Sequence, residues 1–254
     1  MTIIEGILFF VIGTVFGSFY NVVGSRLPNG ESIISPRSHC NNCKHELTPI
    51  ELIPILSYII QGGKCRKCHV KLSISYLIYE FISGLTFLLC YLRFGITLDI
   101  IIPLTFLSML IIIVVSDFEY MIISDEVLIV FGLFLVIELI ILNGWNSLAH
   151  SIISGVIAFV VMFGIKKIGD FLFKKESMGW GDIKLLFFFG LVLGWENALL
   201  SIFFGSLAGF PVSLLIMKLK KSNIIPFGPF LALGAAIIML TGFDAAALLN
   251  MLVI

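Results

Sequence analysis

Apolar residues fill this chain in long blocks separated by short polar joints, a pattern unlike strand alternation or the narrow stripe of a soluble helix. The blocks fall at about 3–24, 76–92, 97–116, 127–142, 148–165, 183–195, 198–217 and 227–252. Crossing roughly 30 Å of hydrocarbon takes about 20 apolar residues, so each block is a candidate span, although several are short. The last is interrupted near Thr241 and Gly242. The pattern predicts an all-α polytopic membrane protein with about eight transmembrane helices. One extended polar region, 26–75, separates a first span (1–25) from a transmembrane core (76–254). The first block lacks a basic flank and a small-residue cleavage site, and is expected to remain as a span rather than act as a signal peptide.

Composition agrees. Of 254 residues, 59% are hydrophobic and 13% charged, with a mean hydropathy of +1.11. Soluble domains carry about 25% charged residues, which excludes that class. The formal net charge of zero hides an uneven distribution. With eight spans and the N-terminus outside, the positive-inside rule places Arg26, Arg37, Lys44, Lys64, Arg66, Lys67 and Lys71 in a cytoplasmic loop. The same topology gathers Lys166, Lys167, Lys174, Lys175, Lys184, Lys218, Lys220 and Lys221 on that side, leaving only Arg93 of 16 cations opposite. It also puts Asp117, after the third span, and Asp182, at the start of the sixth, at one depth.

Two constellations carry chemistry. The polar loop holds Cys40, Cys43, Cys65 and Cys68 as two C-x2-C knuckles. Four thiolates in this arrangement suit one tetrahedral zinc ion in a zinc-ribbon-like loop. A reducing cytosol disfavours the alternative of two disulfides. A closed four-thiolate site points to a structural ion, with His39, His45 and His69 as neighbours rather than ligands. Cys90, in an apolar span, reads as a small hydrophobe.

The second constellation is acidic. Asp117, Glu119, Asp125 and Glu126 are compatible with ordinary loop charges, and Asp182 with an anion favoured at a helix N-terminus. Yet ionisable groups at the edge of a span are expensive and point to function. Gly179 and Gly181 beside Asp182 allow a bend or a close approach. Two carboxylates in contact can share a proton, one serving as base and the other as acid in hydrolysis. Lys184 either steadies the Asp182 anion or anchors the helix by snorkelling, the commoner use. A transporter with cation-binding acids is the competing class, but its acids belong at the midplane of inverted repeats, and no repeat is visible.

The segment "GWGDIKLL" resembles the G-x-G-D-x-K-L signature of the type IV prepilin peptidases. Three further segments are similar to that family in the same order: "GSFYNVVGSRLP", the cysteine loop with its spacing, and "IIPFGPFLALGA". The resemblance covers nearly the whole chain. It implies a bifunctional enzyme of the bacterial inner membrane, an aspartyl endopeptidase and N-methyltransferase. Such an enzyme cleaves a short basic leader from type IV prepilins or pseudopilins after a glycine, on the cytoplasmic side. It then methylates the new N-terminal residue with S-adenosylmethionine. No nucleic-acid partner is expected.

The family's catalytic aspartates match Asp182 and Asp117. Asp125 matches a later aspartate of the same loop, usually preceded by proline where this chain has Ser124, and is taken as support. Gly63 matches a glycine linked in the family with methylation, and equally suits a turn into the second knuckle. Glu80 keeps the acid of a family segment whose arginine and proline are lost here, and its role is open. Asn21 and Arg26 meet the substrate or merely close the first span.

Overall fold

The computed structural model describes residues 2–220, 226–245 and 247–248. The chain forms two compact units, Met1–Ile100 and Ile101–Ile254. Among the described residues every regular element is helical, with two isolated β-bridges in the cysteine loop.

In the first unit, α1 (Ile3–Arg26) and α3 (Ile74–Phe94) form a hairpin of membrane-length helices. A Cβ on Gly17 would lie 2.7 Å from the Ser83 side chain, and one on Gly84 2.7 Å from Thr14. Membrane helices lack a hydrophobic force between them, and small residues let backbones approach close enough for van der Waals contact to hold the pair. Thr2 and Glu5 make a reciprocal capping box that starts α1. The Tyr91 hydroxyl donates to Glu5 and so ties that end of α1 to α3.

Between them lies the polar loop, which contains the one-turn α2 (Leu56–Ile60). Ile55, just before α2, adopts φ 62°, a region β-branched residues rarely enter. Its backbone N–H donates to Glu80 Oε2 of α3 at 2.7 Å, so Glu80 anchors the loop to the membrane hairpin.

The second unit holds α4 (Ile101–Tyr120), α5 (Asp125–Phe173), α6 (Trp180–Leu193), α7 (Trp195–Lys220) and α8 (Gly228–Thr241). At 1.5 Å per residue the 49-residue α5 would be about 73 Å long, over twice the hydrocarbon thickness. It is broken at Gly144, whose φ of 81° and ψ of 171° lie outside the helical region. Its two halves are the expected fourth and fifth spans. The two halves of α5, with α1, α3, α4, α6, α7 and α8, fall on the eight apolar blocks, and among the described residues five helices, α5 counted as one, are long and apolar enough to cross a membrane. The chain is a multi-pass membrane protein.

Several boundaries differ from the sequence expectation; the second half of α5, for one, runs on to Phe173 rather than stopping at 165. Helix α4 continues through Ser116–Tyr120, leaving 121–124 as the whole connection to α5. Helix α6 starts at Trp180 rather than 183, because an aspartate in the first turn favours a helix N-terminus despite its polarity. Lys221, the first two residues of the segment 224–235, and the end of the last expected span lie outside the described residues.

Candidate active site and metal centre

The connections 121–124 and 174–179, together with the start of α8, gather at one end of the second unit. Ile123 brings them into register. A Cβ on Gly181 would lie 2.8 Å from Ile123 Cβ, and one on Gly228 would lie 3.5 Å from Ile123 Cδ1. Gly181 is therefore required by the close approach of Ile123. Gly179, by contrast, has an ordinary extended conformation as the residue capping α6.

This packing buries two carboxylates. Asp117, in the last turn of α4, is 6% exposed, and Asp182, in the first turn of α6, is 9% exposed. Each lies within electrostatic reach of the other. The Gly228 backbone amide faces Asp117, and the Gly179 amide faces Asp182. Asp117 Oδ2 is buried without a hydrogen-bond partner. A pair with one unsatisfied oxygen is chemically suited to hold a proton or a water between its members.

Asp125 is placed differently. It is exposed and takes Lys184 Nζ at 2.7 and 2.8 Å. Lys184 thus makes an ion pair across α5 and α6 instead of snorkelling freely. An exposed pair of this kind adds little stability. It borders an apolar cavity of about 530 Å³ walled by Leu128, Ile129, Phe187 and Phe188 among others.

The turn preceding Asp182 is fixed by Lys166, counted in the sequence only as a cytoplasmic cation, and by Asp170, which the sequence did not single out. Lys166 of α5 is 4% exposed, donates to the Met178 carbonyl at 2.9 Å and pairs with Asp170 at 3.1 Å. Its ammonium also lies 5.9 Å from the Trp180 ring centroid. Asp170 in turn accepts from Ser177 N at 2.7 Å and Ser177 Oγ at 2.9 Å. A buried ammonium survives only when paired and hydrogen-bonded, and here every partner belongs to the turn or to the helix just before it. The signal was faint: a lysine and an aspartate at i,i+4 inside an otherwise apolar span.

In the first unit the four cysteines converge as the spacing predicts. Their sulfurs all lie within 4.8 Å of one another, with Cys40–Cys68 at 3.7 Å and Cys43–Cys65 at 3.9 Å. A tetrahedron with metal–sulfur bonds of about 2.3 Å has edges of about 3.8 Å, whereas a disulfide needs about 2.05 Å. The donor set therefore fits a metal ion. The two knuckles repeat one local fold. Cys40 N donates to His45 O and Lys44 N to Cys40 O, each at 2.9 Å; Cys65 N donates to Val70 O and His69 N to Cys65 O, likewise at 2.9 Å. Lys44 and His69 both take φ near +57° to close these turns.

Amides aimed at Cys40 and Cys68 favour their thiolates, whereas Cys43, despite the His45 amide, is pushed up to about 11 by burial and the neighbouring thiols. The Cys43 and Asn42 backbone amides lower the Cys40 thiol. The Val70 amide, followed by the Asn42 side chain, brings Cys68 to about 6. His39 contacts the Arg37 carbonyl, and His45 contacts Glu51. Gly62 and Gly63 are both left-handed, and a Cβ on Gly63 would lie 3.0 Å from the Tyr58 hydroxyl.

The arrangement, a buried carboxylate pair at helix ends in one unit and a four-cysteine loop in the other, coincides with two matched family models. The bacterial peptidase A24 N-terminal domain matches residues 11–94, and the type IV leader peptidase family matches residues 104–214. The prepilin leader peptidase/N-methyltransferase of Bacillus subtilis (strain 168) is 36% identical over 240 residues, which is 92% of this chain and 94% of that one. The chain belongs to the type IV leader peptidase family.

Other family relatives are similar to it at greater distance. The prepilin leader peptidase/N-methyltransferase of Myxococcus xanthus (strain DK1622) is 32% identical over 187 residues, covering 74% of this chain and 56% of that protein. The one from Aeromonas hydrophila is 28% identical over 265 residues, covering 92% and 90%. No solved structure matches. Within this leader peptidase family chain, the second matched region contains Asp117, Lys166, Asp182 and Ile123, and the first contains the whole four-cysteine loop.

Proposed function

We propose that this chain is a bifunctional enzyme of the bacterial inner membrane, which removes a short basic leader from type IV prepilins or pseudopilins and N-methylates the new N-terminal residue. Cleavage follows a glycine on the cytoplasmic side, with the N-terminus of the chain outside. Asp117 and Asp182 are the catalytic pair. The ionised member takes a proton from water as its oxygen attacks the scissile carbonyl, while the protonated member donates to the carbonyl oxygen. The proton taken from water then passes to the leaving nitrogen as the C–N bond breaks, and the hydroxyl formed from the carbonyl returns its proton to the other carboxylate as C=O reforms. Gly181 and Gly228 keep space beside the carboxylates, and Asp125 with Lys184 supports the rim.

The segment 26–75 carries a structural zinc ion on Cys40, Cys43, Cys65 and Cys68, between the first span and the protease core of 76–254. Glu80 holds this loop to the membrane hairpin. S-adenosylmethionine supplies an electrophilic methyl group, leaving as the neutral thioether.

The observation that carries the hydrolytic reading is the burial of two carboxylates, on α4 and α6, within electrostatic reach of one another, one with an unsatisfied oxygen. The test is leader cleavage by purified Asp117→Asn, Asp182→Asn and Asp125→Asn proteins. The first two are expected to insert, fold and lose cleavage. A wild-type rate from Asp117→Asn beside an inactive Asp125→Asn would transfer the second role to Asp125.

A further inference from the structure

The four-cysteine loop contains a cavity of about 460 Å³ that borders the metal site, with the ligand Cys65 in its wall. Glu51, Ile53, Leu56, Ser57, Ile60, Lys64 and Arg66 are among the residues that line it. This volume lies in the range of small-molecule sites, which run from about 300 to 1,000 Å³. Three chemistries meet there. The walls are branched aliphatic side chains suited to a planar base. Lys64 and Arg66 are exposed at the rim and offer cations to a carboxylate.

The third is Glu51, whose side chain is only 2% exposed. Its Oε2 takes Thr48 N at 2.9 Å, Thr48 Oγ at 2.8 Å and His45 at 3.2 Å. Its Oε1 is buried with no partner. An unpaired buried carboxylate oxygen is costly unless a donor or cation completes it.

We infer that this cavity is the methyl-donor site, holding a sulfonium nucleoside amino acid with its carboxylate at Lys64 and Arg66 and its base against Ile53, Leu56 and Ile60. A zwitterion carrying an apolar ring presents the two charges and the flat surface that this cavity matches. Glu51 supplies the anionic wall. The location follows from the loop alone and rests on the methyl-transfer half of the proposed function. It adds the residues that recognise the donor.

The test uses the full chain in nanodiscs. It measures saturable binding of radiolabelled S-adenosylmethionine and of S-adenosylhomocysteine, together with bound zinc and leader cleavage. A Lys64→Ala/Arg66→Ala double variant and a cavity-filling Ser57→Trp variant are each expected to lose at least tenfold in donor affinity. Zinc content and leader cleavage stay within twofold of wild type. Glu51→Gln, which keeps an acceptor for Thr48, is expected to weaken the donor similarly. Should it also shed zinc, the exposed Lys64/Arg66 variant decides. Wild-type affinity in that double variant and in Ser57→Trp overturns the assignment. So does unchanged donor binding with lost attachment to phosphatidylglycerol vesicles, which gives the cavity to the membrane surface. A wild-type chain with no saturable donor binding instead overturns the methyl-transfer reading itself.

Discussion

Gly228→Ala isolates the geometry of the carboxylate pair from the stability of the fold. Gly228 is the first residue of α8, where alanine is at least as good a helix former. A Cβ there would lie 2.6 Å from Asp117 Oδ2, whereas ordinary contact begins at 3.4 Å. The carboxylate must move by about 0.8 Å or rotate away. It is the free end of a side chain, so the shift costs the fold little. A displacement near 1 Å in a reacting group costs about a hundredfold in rate, or about 2.7 kcal/mol of transition-state stabilisation. We expect kcat for leader cleavage to fall by about two orders of magnitude, with thermal stability and methylation of a pre-cleaved peptide unchanged. Gly164→Ala is the control, since a Cβ at Gly164 meets nothing within 4 Å. Cleavage by Gly228→Ala within threefold of wild type would refute the placement of Asp117 in the reacting pair.

Two further outcomes follow from other parts of the molecule. Lys166→Met removes the ammonium that holds Met178 and Asp170, so the turn before Asp182 should loosen. Steady-state kinetics should show kcat reduced about tenfold at unchanged KM, with faster tryptic cleavage at Lys174 and Lys175; an altered KM alone would assign Lys166 to substrate binding. Cys65→Ser opens the metal site, and structural zinc sites of this kind contribute about 10–16 kcal/mol of binding in isolated peptides. Zinc content should fall toward zero and methyl transfer should disappear, while leader cleavage by the second unit persists; loss of both activities would show that the protease depends on the loop.

Hydropathy and spacing made much of this molecule legible. The apolar blocks marked each span, including the break in α5, where Asn143-Gly144 is a turn dipeptide between two blocks. The knuckle spacing announced the four-cysteine cluster because both halves of each chelate are local in sequence. Asp182 stood out for the same reason, as a charge directly after a Gly-Trp-Gly run and before an apolar block. What escaped was the long-range packing. Gly228 is 111 positions from Asp117, and nothing near it in the chain says which side chain it must clear. Ile123 looked like one more apolar residue until its contacts with Gly181 and its approach to Gly228 were visible. Lys166 and Asp170 resembled an ordinary pair of helix-end charges, since burial depends on the neighbouring turn and not on their spacing. Glu80 was singled out without a role, because its partner is a backbone N–H in a loop 25 residues away.

Helix α6 has only 14 residues, about 21 Å of rise, and turns at Gly194 directly into α7. A bilayer with about 30 Å of hydrocarbon cannot meet both of its ends without thinning or admitting water. Asp182 lies at one of those ends, so the mismatch falls where the peptide bond would be hydrolysed. With Asp182 in the proposed catalytic role, acyl-chain length would set how deep water must descend, and a thicker host membrane is expected to slow leader cleavage without altering a single residue.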